Sequence, residues 1–156
     1  MNNKVFVRST VIIVLLLLFL FIIRFPVIQV DIGDETYFLK ENSFTLHWIH
    51  SVEKEPWFEV YERQGDQVLL TETYFKTFGA GVPSDGEIIE SDDGYVHMKI
   101  NRSMDEVNIV VSDNVETTLS TEDKDIKLYE MIDSYEEVHI QSAKLYLWNL
   151  VGGEFL

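Results

Sequence analysis

Apolar residues fall along this chain in two different rhythms. From Val11 to Ile23 they run for 13 residues without a break. Extended back through Arg8 to Val5 the stretch reaches 19 residues. As a helix it would span about 28 Å at ~1.5 Å per residue, close to the ~30 Å hydrocarbon core of a bilayer. Beyond it the period drops to two. Ser43–Val52 alternates most clearly, with Phe44, Leu46, Trp48, His50 and Val52 on one face and Thr45, His47, Ile49 and Ser51 on the other. A strand over Trp57–Arg63 puts Trp57, Glu59 and Tyr61 on one side. Further strands are predicted at Val27–Val30, Thr36–Leu39, Gln67–Thr77, Tyr95–Ile100, Val107–Val111, Thr117–Ser120 and Val138–Leu147, the last running on toward Trp148. Glu87–Glu90 reads as a short edge strand. Turn chemistry separates them at Gly33-Asp34, Glu53–Pro56, Gln64-Gly65-Asp66 and Ser91–Gly94.

The period changes once more. Leu128, Met131, Ile132 and Tyr135 are spaced for a short helix. Gly152-Gly153 reads as the end of ordered chain. About nine short strands at this spacing predict an all-β domain, a compact antiparallel β-sandwich or barrel, with one short helix near the C-terminus and a single N-terminal transmembrane helix ahead of it. The alternative is an α+β roll whose final helix covers a single sheet. Residues 1–24 form the anchor in this reading and residues 25–156 the domain.

Charge sharpens the division. Residues 1–30 hold Lys4, Arg8 and Arg24 and no acid, whereas residues 31–156 hold 9 basic and 27 acidic side chains, a net −18. Lys4 and Arg8 outweigh Arg24, so the positive-inside bias puts the N-terminus in the cytoplasm and the domain outside. A cleavable signal peptide is the rival, but Ile22-Ile23-Arg24-Phe25-Pro26 lacks the small residues that cleavage needs. Either reading exports the domain, with Val5–Ile23 meeting the lipid bilayer in the first. A domain this acidic repels nucleic acid. The chain has no cysteine, so disulfides, thiol catalysis and thiolate metal sites are out.

The candidate chemistry lies in two stretches, His50-Ser51-Val52-Glu53-Lys54-Glu55-Pro56-Trp57 and Phe78-Gly79-Ala80-Gly81-Val82-Pro83. Ser51 beside His50 invites a hydrolase reading, in which the serine needs a base and the base a carboxylate. Neighbours on a strand face apart, so His50 and Ser51 cannot pair and His50–Glu53 is not a self-contained catalytic unit. His97 or His139 would have to serve from a distance. Zinc would need His47 with Glu59, or His50 with His97, to converge across strands. Asp92-Asp93 and Glu122–Asp125 lack the spacing of a calcium loop. No metal or cofactor is expected. The glycine-rich stretch lacks the Lys, Ser or Thr of a phosphate loop and offers a backbone surface instead. The candidate binding face comprises His50, Glu53, Trp57, Glu59, Phe78, Gly79, Gly81 and Pro83, with Trp57 as aromatic anchor and Glu53 and Glu59 as polar rim.

Taken with Glu72 and Phe75, these two stretches resemble the bacterial family catalogued as domain of unknown function 1850, over roughly Val30 to Val138. The resemblance implies a small exported protein of the kind often encoded beside TAXI-type TRAP transporters, which pair an extracytoplasmic solute-binding protein with a membrane permease. It implies a non-catalytic accessory role at such a transporter, with the permease or its solute-binding protein as partner. A small-ligand or metal-binding module is the alternative, and a hydrolase using Ser51 a further one.

Overall fold

The computed structural model describes residues 3–79 and 81–156, with the side chains of 3–6, 16 and 17 left aside. Helix α1 covers Asn3–Ile22. Its side chains at Val11–Leu15 and Leu18–Ile22 are all exposed, so apolar groups face outward on every side of it. Among the described residues no helix is long and apolar enough to cross a membrane.

Among the described residues twelve short strands follow, in two sheets. Five of them are β1 (Arg24–Ile32), β2 (Glu35–Leu39), β8 (Glu106–Val110), β11 (Glu137–Tyr146) and β12 (Glu154–Phe155), which make one sheet in the order β12-β2-β1-β11-β8. The other seven are β3 (Ser43–Ile49), β4 (Pro56–Gln64), β5 (Gln67–Phe75), β6 (Glu87–Ile89), β7 (Val96–Met104), β9 (Thr118–Ser120) and β10 (Asp125–Lys127). They pair in the order β10-β9-β3-β4-β5-β7-β6. Both sheets feed one core. Ile28, Val30, Leu39, Val107, Val138 and Ile140 from the first pack with Phe44, Leu46, Tyr61, Val68, Leu70 and Leu119 from the second. The alternation in the sequence therefore points each strand's apolar face at the opposing sheet.

Two bulges set which side chains reach the interior. Between β4 and β5, Val60 faces Glu72 while Tyr61 faces Leu70, leaving Thr71 as an extra residue. Inward parity on β5 switches there, from Val68 and Leu70 to Thr73 and Phe75. Across β7 the register shifts again, where Asn101 takes a left-handed φ of 56°.

The strand expectations hold with small changes at their ends, except that the strand expected over Ser43–Val52 stops at Ile49. Glu87–Ile89 is an edge strand as its sequence suggests. Three expectations fail. The helix over Leu128–Tyr135 is only a 3-10 turn at Leu128–Glu130, because Tyr135 turns left-handed at φ 76° and donates its N–H to the Val111 carbonyl at 2.7 Å. The expected short helix near the C-terminus is present as α2, Leu147–Gly152, but it ends β11 at Tyr146, before the Trp148 that the strand was expected to approach. Order also continues past Gly153. β12 pairs parallel with β2, and the Leu156 N–H donates to the Phe38 carbonyl at 3.1 Å.

Candidate functional site

Strand β3 stops at Ile49, opposite Pro56, the first residue of β4. The chain between them is a closed turn. The His50 N–H donates to the Glu55 carbonyl at 2.8 Å, and the Lys54 N–H returns to the His50 carbonyl at 3.0 Å. Lys54 adopts φ 59° to close it. This overturns the strand geometry expected through Val52. His50 and Glu53 lie on one side of the turn, and the imidazole Nδ1 meets the Glu53 carboxylate.

The glycine-rich stretch lies directly against that carboxylate. A Cβ on Gly79 would fall 2.1 Å from Glu53 Oε1, so the glycine leaves the carboxylate end where it is, and any larger residue would push it aside. Gly81 adopts φ 83° with open space around it. Val82 packs on the cluster of Trp57, Phe75 and Met98. Phe78 stands edge-on to Phe75 at 5.3 Å and remains 63% exposed. Pro83 is half-buried, and Ala80 lies outside the described residues. The two stretches singled out in the sequence thus meet in space, through Gly79 against Glu53 and through Val82 against the cluster that holds Trp57.

Trp57 is 5% exposed, so it walls the site and does not project as an anchor. It stacks on Trp48 at 5.8 Å, His50 at 5.6 Å and Phe75 at 4.9 Å. Its indole N–H donates to Thr73 Oγ1 at 2.8 Å, and that hydroxyl donates to the Phe58 carbonyl at 3.1 Å. Every polar atom in this buried chain is therefore satisfied.

Glu59 points to the same interior face from the middle of an apolar row, opposite Leu46 and Thr73. The Tyr61 hydroxyl donates to Glu59 Oε2 at 2.5 Å. Burial pushes the Glu59 carboxyl above its ordinary range, against the lowering effects of the Tyr61 hydrogen bond and the charge of Arg102. Burial, then the neighbouring carboxylate, drives the Tyr61 phenol far above its own.

These side chains open onto a cleft of about 410 Å³ between the sheets. Trp48, His50, Ser51, Trp57, Glu59 and Gly81 line one side. Asn108, Ile109 and Val110 of β8 line the other, and Val115 and Thr117, which run beside β3 ahead of β9 with the Val115 carbonyl taking the Ile49 N–H at 2.7 Å, complete the lining. Of the candidate residues, His50, Trp57, Glu59 and Gly81 share the cleft, while Glu53 and Gly79 support its rim from behind. The β8 side carried no signal in the sequence. Tyr61 did carry one, by sharing a face with Glu59.

The groups named for the alternative chemistries lie in separate settings. Ser51 lines the cleft, but no hydrogen bond reaches its hydroxyl among the described residues. His97 Nε2 sits 3.1 Å from Glu72 Oε2 beneath Tyr74, whose ring stacks on it at 4.1 Å. His139 is engaged by Asn108 Oδ1 at 2.5 Å. Among the described residues no three carboxylate or imidazole groups gather as they would around a metal ion. Asp93 caps its own turn, taking hydrogen bonds from Ser91 Oγ at 2.6 Å and the Tyr95 N–H at 2.8 Å, which holds its carboxyl below the usual range.

The profile of DUF1850, a domain of unknown function, matches residues 44–128, more than half of the chain. The matched span holds both candidate stretches and lies inside Val30–Val138. No curated protein and no solved structure matches the chain.

Proposed function

The chain belongs to the family of domain of unknown function 1850, and from that premise we propose that it is a non-catalytic binding module whose inter-sheet cleft holds a small ligand. The observation that carries this reading is the cleft itself. Its volume lies within the ~300–1,000 Å³ of small-molecule sites, and it joins apolar and aromatic walls to a few polar groups. Intrinsic fluorescence is the direct test, since Trp48 and Trp57 both line the cleft. Titration with small organic molecules is expected to shift the emission and raise the melting temperature. No response to neutral, acidic or basic compounds would remove the reading.

In the cell this module would sit outside the cytoplasm, held at the membrane by the anchor at residues 1–24, and act as an accessory to a TAXI-type TRAP transporter. The exposed apolar side chains of α1 support the attachment. Apart from the Trp148 ring against Phe21 at 5.2 Å, the domain leaves these side chains uncovered. The family resemblance supports the transporter. Flotation with lipid vesicles tests the first, with the chain lacking residues 1–24 expected to stay at the bottom of the gradient. Affinity capture from membranes tests the second, with a permease or solute-binding protein expected in the eluate.

A further inference from the structure

Glu59 is a carboxylate with an unmet need. It lies in the sandwich interior, flanked on β4 by Trp57 and Tyr61. An ionised carboxylate in such a place wants a cation or a full set of donors. Glu59 has neither. Tyr61 serves Oε2 alone. Oε1 takes no hydrogen bond among the described residues, and it is not sealed from solvent. Nor does Glu59 join any ion pair among the described residues. Arg102 acts on it only through space, and its guanidinium is bound to Asp85 at 2.5 Å.

The rest of the cleft suits the same missing partner. No Lys or Arg lines it. Its one other ionisable wall, His50, already faces a carboxylate of the protein, Glu53. Trp48 lies on the cleft wall, stacked on Trp57 at 5.8 Å. An indole face beside a carboxylate is the pairing that holds an organic ammonium, through the ring quadrupole and a charge-assisted hydrogen bond. The field of the domain points the same way, since a net −18 over residues 31–156 concentrates cations and repels anions.

We propose that the cleft takes an organic cation, a small amine or ammonium whose positive group sits between Glu59 and the Trp48 ring. This rests on the binding reading above and names its ligand class.

Three probes of matched size test it on the full chain in nanodiscs of neutral lipid: 2-phenylethylamine, 2-phenylethanol and phenylacetate. Binding is read by calorimetry and tryptophan emission. The amine is expected to bind at least about tenfold tighter than the alcohol, the scale of one desolvated cation–ring and carboxylate contact. Phenylacetate is expected to bind weakest. Glu59→Gln keeps the side chain's size and its bond with Tyr61, so the variant should stay folded while the amine's advantage over the alcohol disappears. Equal binding of all three probes, preference for phenylacetate, or an amine preference that survives in Glu59→Gln overturns the cation assignment and leaves the cleft a binding site of another class. Absence of binding by all three overturns both the assignment and the reading beneath it.

Discussion

Trp57 and Glu59 stand two residues apart on the same face of the same strand, and their surroundings treat them in opposite ways. The Trp57 N–H has Thr73, and Thr73 has the Phe58 carbonyl. The polar chain is closed, and its ring is held by three aromatic neighbours. Glu59 has one donor, Tyr61, and an oxygen left toward the cleft. A buried polar group whose bonds are all internal specifies structure. One whose bonding capacity is half used and faces open space is available to something else.

The largest test breaks the closed side. Trp57→Ala removes the centre of the aromatic cluster and is expected to cost about 3–5 kcal/mol in urea unfolding. A loss below about 1 kcal/mol would mean that Trp57 is not the keystone of that end of the core. Thr73→Val leaves the indole N–H without an acceptor at nearly constant volume, for an expected loss of about 1–3 kcal/mol. Trp57→Phe in the Thr73→Val background should recover part of that loss, because the orphaned donor goes with the indole.

The open side should show itself in pH dependence more than in absolute stability. Burial raises the Glu59 carboxyl, so between its unfolded and folded values the folded protein holds a proton that the unfolded chain has already released, and above the folded value the carboxylate is ionised in both. Its favourable contribution is complete below the unfolded value and disappears as pH rises through the folded one. Glu59→Gln should therefore gain stability relative to the wild type with rising pH, read as a widening difference between urea midpoints. A constant difference would place Glu59 in a solvated setting.

Gly79→Ala should be the mildest change. Its Cβ meets only the carboxylate end of Glu53, which can swing aside, so the expected loss is within about 1 kcal/mol. The His50 ring resonances should still move, since they report the Glu53 contact. Unchanged resonances would show that the glycine-rich loop does not brace the turn.

Much of this comparison was legible in the chain. Alternation alone put Trp57, Glu59 and Tyr61 on one face, and the glycines of Phe78–Pro83 marked a close approach of backbone. The failures were local. The strand through Val52 was expected because Trp48, His50 and Val52 keep period two, but Lys54 takes a left-handed conformation and the turn's own hydrogen bonds close it earlier. The helix at Leu128–Tyr135 had the right apolar spacing, yet the Tyr135 N–H found the Val111 carbonyl, a partner 24 residues back that no helical period anticipates.

By itself the sequence determined the β character, the strand faces, the family and the long apolar stretch at the start, because each is written in composition and in short-range periodicity. The tertiary structure decided that His50 and Glu53 meet, that Thr73 reaches Trp57, and that a cleft exists. The first depends on a turn's backbone bonds, the second on a bulge at Thr71 that reverses strand parity, and the third on β8 of one sheet lying across from β3 and β4 of the other. Each joins residues through space in a way that no pattern along one strand can specify.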